Sequence, residues 1–466
     1  MRCFAAFFFV LALFVSLAGT ACGEKPPELT TVGAAKVDIT PQHSIRLSGY
    51  GSRGMEADDV ETHIWARALA IGGDDESAHP AVIVNVENCG AAAPVVAQVV
   101  EQLGREPGIP RERIVICSTH SHTAPQINGF APFIFAKALS PEEQKHIDDY
   151  TAALAEKIVQ AARQAVKNRR PARLSWASGK AAVAGNRRVL KDGAWTGFGT
   201  QPDGPVDHSL PILAAHDAEG KLIAVLANYA CHCTTLGGDF NRISGDWAGY
   251  AQDYLEADHD GAVAVISIGC GADANPNPRG ELEMAKRHGR VIAEEVNRLL
   301  KGERTPLATS LSCRLKVVDL PLDTLPTKEQ WRKQIEQGRP QQAAHAESFL
   351  AQLESGRTIS DKVPYTISTW TFGDDLAMVF LAGEVVVDYA IRMKSAFDDD
   401  RLWITAYAND VPCYIPSKRI LREGGYEADF SMVYYGKPTR FAPELEDIIL
   451  DTTRGLLPVT FHTQGK

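Results

Sequence analysis

Two histidines follow a predicted strand at a spacing that could bind a metal ion. The apolar run Ile114–Ile116 leads into Cys-Ser-Thr-His-Ser-His-Thr-Ala-Pro, which carries His120 and His122. Alternate residues of an extended chain point to the same side, so the two imidazoles are predicted to share one face at the end of the strand. Imidazoles that converge in this way bind zinc or hold a polar substrate.

The same arrangement recurs twice further along the chain. The predicted strand Ile223–Ala230 runs into Cys-His-Cys-Thr-Thr, with His232 at its centre, and the predicted strand Leu376–Leu381 is followed by Ala-Gly-Glu, which ends in Glu384. Two histidines and a carboxylate at strand ends predict a zinc site. The chain contains 13 histidines, so the spacing alone leaves a second interpretation open, in which these side chains are polar residues satisfied by their own loops.

The elements that must position these residues alternate between strands and helices, which is typical of the α/β class. We predict mixed β-sheets with helices packed outside, in a single large catalytic domain over residues 31–460 with an insertion or hinge at 320–363. Strands are predicted at Ala81–Val86, Ile114–Cys117, Leu174–Trp176, Ile212–Ala215, Ile223–Asn228, Ala262–Ile268, Ser310–Leu320, Tyr365–Phe372, Met378–Leu381 and Leu402–Tyr407. Helices are predicted at Ala92–Leu103, Pro141–Lys167 with Ser140 as N-cap, Asp246–Ala257, Met284–Leu300, Lys328–Leu353, Val385–Phe397 and Glu444–Leu456.

The composition favours a globular protein without a nucleic-acid partner. The 466 residues are 45% hydrophobic and 23% charged, and the formal net charge is -10 with no block of Lys and Arg. Nucleic-acid binding is excluded because it depends on clustered positive charge. Beyond residue 22 the cysteines are odd in number and lie in or beside apolar runs, so they are predicted to be buried core residues and not a disulfide framework.

The first 21 residues are predicted to be a signal peptide. Arg2 precedes an apolar stretch, Phe4–Leu17, and then the small residues that end at Ala21. We expect cleavage near Ala21, a short tether at 22–30 and a secreted or periplasmic mature protein. Cys22 keeps a second outcome open, a lipid-anchored N-terminus, although Gly-Thr-Ala before it matches the usual signal poorly.

Segments along most of the chain resemble the neutral/alkaline, non-lysosomal ceramidases. The opening of that family is similar to Gly33–Pro41, Leu47–Gly51, Trp65–Leu69 and Val84–Glu87. The family's Thr-His-Thr-His-Ser-Gly-Pro segment, its second histidine segment, its Ser-Gly-Asp turn and its Gly-Glu are similar to Ser118–Pro125, Ala230–Thr235, Ile243–Asp246 and Gly383–Glu384. The resemblance spans roughly Gly33 to Leu456 in the family's order and identifies a divergent, bacterial-type member. The family's C-terminal immunoglobulin-like domain is expected to be absent, because the chain stops soon after the last predicted helix.

The resemblance implies one catalytic zinc ion. Its ligands, carried over residue by residue, are His120, His232 and Glu384, with Tyr414 as the fourth because it offers the nearby phenol in Asn-Asp-Val-Pro-Cys-Tyr. Such mixed nitrogen and oxygen coordination leaves a position for water, as a catalytic zinc requires. Other interpretations stay open: Glu384 as an acid stabilised at a helix N-terminus, and Tyr414 as an ordinary half-buried ring.

Three more residues are implied at the site. His122 is expected to hydrogen-bond the oxyanion or the substrate. Arg187, in Gly-Asn-Arg, is expected to contact the substrate, and Asp246 is expected either to cap a helix or to support the site. The alternatives are a loop histidine satisfied by backbone and a solvated loop arginine.

The sequence departs from the family at Asn275. The family carries Gly-Asp-Val-Ser-Pro-Asn with a catalytic serine, whereas this chain carries Ala-Asp-Ala-Asn-Pro-Asn with Asn275 at the position of the serine. An amide is not a nucleophile. Either a zinc-activated water performs the reaction and Asn275 positions the substrate, or the chain has lost ceramide-type hydrolysis.

The predicted function is a secreted zinc-dependent hydrolase that cleaves an amide, N-acyl or related bond of a small molecule. An N-acyl lipid is the candidate substrate, and Phe130–Phe135 is the candidate contact with a lipid or membrane surface, with buried loop packing as the other interpretation. The alternative function is a non-catalytic ligand-binding surface protein that kept the fold. A metal-free hydrolase that pairs Cys231 or Cys233 with His232 is disfavoured, because neighbouring strand residues point to opposite faces.

Overall fold

The computed structural model describes residues 29–73 and 79–463. The predicted signal peptide and the tether residues 22–28 lie outside these ranges, so both stay predictions. The predicted catalytic domain lies within them apart from residues 74–78.

Strands of the described chain form two sheets and three short ribbons. In chain order they are β1 Thr30–Asp38, β2 Trp65–Ile71, β3 Ala81–Val86, β4 Ile114–Ser118, β5 Arg170–Lys180, β6 Ala184–Asn186, β7 Arg188–Lys191, β8 Ala194–Phe198, β9 Ser209–Asp217, β10 Leu222–Tyr229, β11 Val263–Ile268, β12 Ala274–Pro276, β13 Thr305–Pro306, β14 Leu311–Pro321, β15 Lys362–Phe372, β16 Leu376–Leu381, β17 Glu384–Val385, β18 Leu402–Thr405 and β19 Tyr414–Ile415. The sequence did not indicate β1 and β2.

The α-helices of the described chain are α1 Ala93–Arg105, α2 Pro141–Lys167, α3 Asp246–Asp258, α4 Leu282–Lys301, α5 Lys328–Gln337, α6 Pro340–Glu354, α7 Val387–Ala396, α8 Lys418–Glu423, α9 Ser431–Tyr434 and α10 Leu445–Leu456. The longest, α2, begins as predicted. Ser140 accepts from the backbone of Glu143 at 3.1 Å, and the Glu143 carboxylate accepts from the Ser140 amide at 2.7 Å. This reciprocal cap satisfies two amides that the first turn would leave unpaired.

The large sheet is mixed and curls. Its order is β11-β10-β9-β5-β1-β2-β3-β4, with β13 beside β5. Most neighbours are antiparallel, but β3 with β4 and β10 with β11 are parallel. Because β11 also contacts β3 and β4, the two ends of the sheet approach each other, and the segments that follow β4 and β10 meet.

A smaller sheet, β14-β15-β16-β18, packs on one face of the large sheet. The apolar layer between them joins side chains such as Leu69, Ile83 and Val115 to Trp370 and Trp403. On the other face of the large sheet lie α2, α3 and α4, while α10 covers β14 and β15. The result is four layers with helices outside two sheets, which confirms the predicted α/β class.

One predicted helix is in fact two. The pattern over Lys328–Leu353 predicts a continuous helix, but the structure ends α5 at Gln337 and starts α6 at Pro340. Proline cannot continue a helix and holds the residue before it extended, so Arg339 adopts φ -65 and ψ 162. The two helices form a hairpin between β14 and β15, inside the segment 320–363 singled out from the sequence.

Two further observations concern membranes and cysteines. Across residues 29–73 and 79–463 no helix is both long and apolar enough to cross a bilayer.

The seven cysteines of the described chain are free thiols, and all but Cys313 are buried, as the sequence predicts.

Candidate metal centre

The three candidate ligands follow strands of both sheets. His120 comes two residues after β4, His232 three residues after β10, and Glu384 three residues after β16. The strand before His-x-His ends at Ser118, one residue beyond the predicted end, but the extended backbone expected through the two histidines is wrong. The side chains nevertheless converge, since His120 takes a left-handed backbone with φ 58 that turns its ring toward the other two ligands.

A parallel ribbon sets Glu384 beside Tyr414. In the pairing of β17 with β19, Glu384 stands opposite Tyr414. Gly383 has φ +79, and a Cβ there would lie 2.8 Å from the Cys413 carbonyl oxygen. Only glycine at position 383 allows the two strands to come this close. The close contact fixes the position from which Glu384 enters the site.

The ligand atoms of His120, His232 and Glu384 form a buried cluster. Glu384 Oε2 lies 3.0 Å from His120 Nε2 and 3.3 Å from His232 Nε2, and the three atoms lie within 4.8 Å of one another. Zinc bonds of about 2.0–2.2 Å separate tetrahedral ligand atoms by about 3.3–3.5 Å. Within the described chain the buried Glu384 Oε2 makes no well-directed hydrogen bond, so the donor set fits a cation.

Backbone carbonyls fix the tautomers of both histidines. Nδ1 of His120 lies 2.6 Å from the Cys89 carbonyl oxygen, and Nδ1 of His232 lies 2.9 Å from that of Gly271. A carbonyl only accepts, so each Nδ1 carries the proton. Each Nε2 is therefore the atom available to a metal, as in most histidine-bound metal sites.

The charges at the cluster are strongly coupled. Burial lowers the pKa of His120, but the Glu384 carboxylate outweighs burial and raises it to about 10. Burial and the Arg187 cation lower the pKa of His232 to about 3. Burial raises the pKa of Glu384, but His120 outweighs it and holds that pKa well below its usual range. A metal ion at Nε2 of His120 would therefore compete with a proton for that atom.

Tyr435 fixes the orientation of the Glu384 carboxylate. Its hydroxyl donates a short hydrogen bond to Glu384 Oε1, which leaves Oε2 facing the two imidazoles. Tyr435 is buried, and Phe130 packs edge-on against its ring at 5.6 Å between centroids. No motif in the sequence indicates Tyr435.

Tyr435→Phe is expected to weaken zinc binding about 10- to 100-fold, the usual effect of losing a partner that orients a ligand. Chelator competition at fixed pH measures it. Tyr389→Phe is the matched control, because it removes another buried phenol, which donates to Pro416 at 3.1 Å away from the cluster. Equal zinc affinity in both variants would contradict the orienting role.

Arg187 joins most of the remaining predicted residues. Its Nη1 donates to Asn275 Oδ1 at 3.3 Å and lies 3.2 Å from His232 Nε2, and its Nη2 donates to the Tyr414 hydroxyl at 3.1 Å. Its Nε donates to Glu427 at 3.0 Å. Burial lowers the pKa of Arg187, but Tyr414 and Glu427 raise it well above its usual value. Arg187 is thus a fixed cation at the edge of the cluster.

Tyr414 and His122 both adjoin the cluster. The Tyr414 hydroxyl lies 3.3 Å from His232 Nε2, close enough to complete a ligand set. His122 Nε2 lies 3.0 Å from His120 Nε2, and its ring meets Tyr50 edge-on. Burial and the neighbouring His120 lower the pKa of His122 well below its usual value, so this imidazole is neutral.

Asn275 faces the cluster with a defined amide orientation. Its Oδ1 accepts from Arg187 at 3.3 Å and from Thr234 at 3.2 Å. Because both hydrogen bonds go to oxygen, the orientation of the amide is set and its NH₂ group is the part left to meet a substrate.

Asp246 is buried at the first residue of α3. Its carboxylate accepts from the backbone amides of Leu236 at 2.9 Å and Trp247 at 2.6 Å. It is the first residue of α3 and not its N-cap, which is Gly245. Asp246 therefore holds the loop after His232 against α3, and the strict N-cap interpretation is wrong.

Asp273 ties together three segments that carry site residues. Its Oδ1 accepts from the Val387 amide at 2.9 Å, its Oδ2 accepts from Asn186 at 3.3 Å, and its carbonyl accepts from the Arg187 amide at 2.9 Å. Burial and the nearby Asp388 raise the pKa of Asp273 from 3.8 to about 7.

This raised pKa is expected to make stability fall as pH rises. Between 3.8 and about 7 the unfolded carboxyl is ionised while the folded one keeps its proton, so the free energy of unfolding declines across that window and levels off above it. Asp273→Asn cannot ionise and should lack this part of the slope. Urea unfolding of both proteins across the window tests it, and identical slopes would count against the assignment.

Backbone strain gathers around the site. In the described chain six non-glycine residues have positive φ, and four of them are His120, Asp246, Tyr407 and Asn409, with φ of 58, 52, 53 and 64. Tyr407 stacks on His120 at 4.5 Å between centroids. Such conformations persist where the surroundings enforce them, often at functional sites. The sequence carries no signal for them, which is why Tyr407 escaped prediction.

The chain is an α/β protein with a buried cluster of two histidines and a carboxylate on segments that follow strands of its two sheets. Its sequence matches the family model described as neutral/alkaline non-lysosomal ceramidase, N-terminal, over residues 31–347. Since the match covers well over half of the 466 residues, the chain belongs to this family.

Individual relatives are distant. The chain is 25% identical to neutral ceramidase A of Dictyostelium discoideum over 265 residues, which are 53% of this chain and 36% of that protein. It is 26% identical to the neutral ceramidase of Pseudomonas aeruginosa over 256 residues, 53% of this chain and 37% of that protein. The matched segment is thus little more than a third of each relative's length.

The fold is similar to that of solved ceramidases. The crystal structure of neutral ceramidase from Pseudomonas aeruginosa superposes with a TM-score of 0.69 and 19% identity, over 94% of this chain and 77% of that one. A ceramidase complexed with C2 superposes with a TM-score of 0.67 and 18% identity, with the same coverage.

Proposed function

We propose that the protein is a zinc-dependent hydrolase that cleaves the amide bond of an N-acyl compound. The observation that carries this proposal is the buried cluster of His120 Nε2, His232 Nε2 and Glu384 Oε2. Two backbone carbonyls fix the tautomers, and the Arg187 cation adjoins the cluster. Membership of the ceramidase family and the amide chemistry of its named relatives support the same reaction class.

Three residues would hold the ion, with the Tyr414 phenol as the fourth ligand. When bound, zinc supplies a Lewis acid that polarises the scissile carbonyl and lowers the pKa of water toward about 7. Arg187 is a permanent cation that can stabilise negative charge on the carbonyl oxygen, and the Asn275 NH₂ group adds a neutral donor. His122 is neutral and can accept a hydrogen bond from the reacting groups.

Asn275→Ala is expected to lower kcat about 10²-fold, the scale of losing one oxyanion donor. Zinc content should not change, because the amide lies beside Arg187 and Thr234 and is not a member of the ligand cluster. Asn275→Ser, which restores the family's residue, is the comparison variant. Wild-type turnover by Asn275→Ala would remove Asn275 from the reaction.

Two measurements on the purified protein test the function itself. Metal analysis should find about one zinc ion per chain, and hydrolysis of a panel of N-acyl lipids, N-acyl amino acids and simple amides should be sensitive to a chelator. Bound zinc without turnover of any compound would favour the non-catalytic ligand-binding protein, which the replacement of the family's serine by Asn275 makes the second candidate.

We also propose that the mature protein is exported, on the basis of the charged, apolar and small-residue pattern of residues 1–21. Lipid attachment at Cys22 is the alternative outcome.

A further inference from the structure

A cavity of about 500 Å³ lies beside the candidate metal centre. One wall is aromatic and consists of Trp195 and Phe198 from β8 together with Tyr426, Phe430 and Tyr434. Its size falls within the range of about 300–1,000 Å³ that is usual for small-molecule sites.

The inner end of this cavity adjoins the cluster. Tyr426 packs against Tyr414 at 5.3 Å between centroids and against Phe198 at 4.9 Å. The Arg187 guanidinium lies 4.9 Å from the centre of the Phe198 ring. Two rings of the cavity lining therefore contact the groups at the cluster, Tyr426 the Tyr414 phenol and Phe198 the Arg187 cation. A single layer of aromatic side chains thus separates the cavity from the candidate metal centre.

The aromatic wall is unusually exposed. Phe198 and Phe430 are each 53% exposed, whereas most large apolar side chains of the described chain are buried. An apolar group of a ligand that covers these rings gains hydrophobic free energy in proportion to the area removed from water. By contrast, Phe130 and Ile134 of the segment singled out from the sequence are buried, so loop packing accounts for them.

The polar part of the described lining carries a single charge. It consists of Arg339, Gln341 and Gln342, where α6 begins. Among the residues that the structure describes, neither Asp nor Glu lines the cavity. In the described chain no carboxylate or carbonyl pairs with the Arg339 guanidinium, whereas Arg332 on the same hairpin lies 3.8 Å from Glu354. In a protein of net charge -10, a cavity with one unpaired cation and no acid is complementary to an anion.

We infer that the cavity selects a substrate that carries an apolar group and a carboxylate on the same side of the scissile amide, of which an N-acyl amino acid with an apolar side chain is the simplest example. The side chain lies on the aromatic wall and the carboxylate accepts from Arg339, with the glutamines as further donors. This inference rests on the proposed amide hydrolysis and adds the substrate class to it.

A matched pair of substrates tests the inference. N-dodecanoyl-phenylalanine and N-dodecanoyl-phenylalaninol share the apolar parts and differ only in the carboxylate. The zinc enzyme is expected to prefer the acid in kcat/KM by about 10- to 100-fold, the scale of one hydrogen bond to a charged group. Arg339→Ala should bring the two values together, and Arg339→Lys should keep part of the preference. The control is Lys333→Ala, an exposed cation of α5 outside the cavity lining, which should keep the wild-type preference.

Binding without turnover separates this inference from the proposed reaction. Titration of both compounds into the Glu384→Gln protein, followed by tryptophan fluorescence, should show tighter binding of the acid. Loss of the fluorescence change in Trp195→Phe would assign the signal to the cavity. Preference for the acid in binding, without hydrolysis by the zinc enzyme, would overturn the reaction and retain the inference. The inference would be overturned if the acid and the alcohol had equal kcat/KM and equal affinity. It would also be overturned if Arg339→Ala kept the full preference for the acid.

Discussion

Glu384→Gln is expected to abolish hydrolysis and to reduce zinc affinity by more than about 100-fold. This loss of affinity is larger than that caused by removing a residue that only hydrogen-bonds a metal ligand. The amide keeps the shape of the side chain but loses the negative charge that balances the cation, and its NH₂ group can face the imidazoles as a competing donor. His120→Ala and His232→Ala should release the ion as well, because each removes one of three protein ligand atoms that lie within 4.8 Å of one another.

Metal content after dialysis and far-UV circular dichroism measure this result together. Glu446→Gln is the matched control: it alters another buried carboxylate, which accepts from Arg392 and the Lys418 amide, and it should lower stability but keep the ion. Stoichiometric zinc in Glu384→Gln, or in either histidine variant, would refute the ligand assignment.

Arg187→Gln is expected to lower kcat about 10²- to 10³-fold while zinc stays bound. The variant removes the fixed cation next to Asn275 and Tyr414. Removing one member of a buried ion pair normally destabilises a protein strongly. Here Glu427 keeps a second partner, because its Oε2 accepts from Arg188, so the fold is expected to survive.

Arg188→Gln is the comparison variant for Arg187→Gln. Arg188 is buried and pairs with Glu423 at 3.0 Å and with Glu427, none of which is a candidate ligand. Arg188→Gln should therefore lower the unfolding temperature and spare turnover, the reverse of Arg187→Gln. Steady-state kinetics, zinc content and thermal unfolding on both variants distinguish the roles, and equal loss of turnover in the two would contradict them.

Local patterns predicted the class of the fold and the residues that meet at the centre. Strand ends carry His120, His232 and Glu384, and an apolar run followed by polar residues is visible in a single sequence. How these ends come together was not visible, because it depends on a sheet order that joins strands distant in the chain and on the contact of β11 with β3 and β4.

Other features escaped for different reasons. Tyr435 lies 51 residues beyond its partner Glu384, and no periodicity links a buried phenol to a carboxylate at that distance. The sequence does contain a signal for the break between α5 and α6. Gly338-Arg339-Pro340 interrupts the helical pattern with glycine and proline, the two residues that most disfavour a helix. The predicted continuous helix was wrong because this break ends α5 at Gln337 although helical periodicity continues on both sides of it.

The contribution of ligands by both sheets gives a bound ion a mechanical role. His120 and His232 belong to loops of the large sheet and Glu384 follows a strand of the smaller one, so an ion held by all three is a crosslink between the layers. Linkage then works in both directions: the ion resists separation of the layers, and the docking of the layers sets the affinity for the ion. Trp370 and Trp403, buried between the sheets, would thereby contribute to metal affinity without belonging to the proposed ligand set.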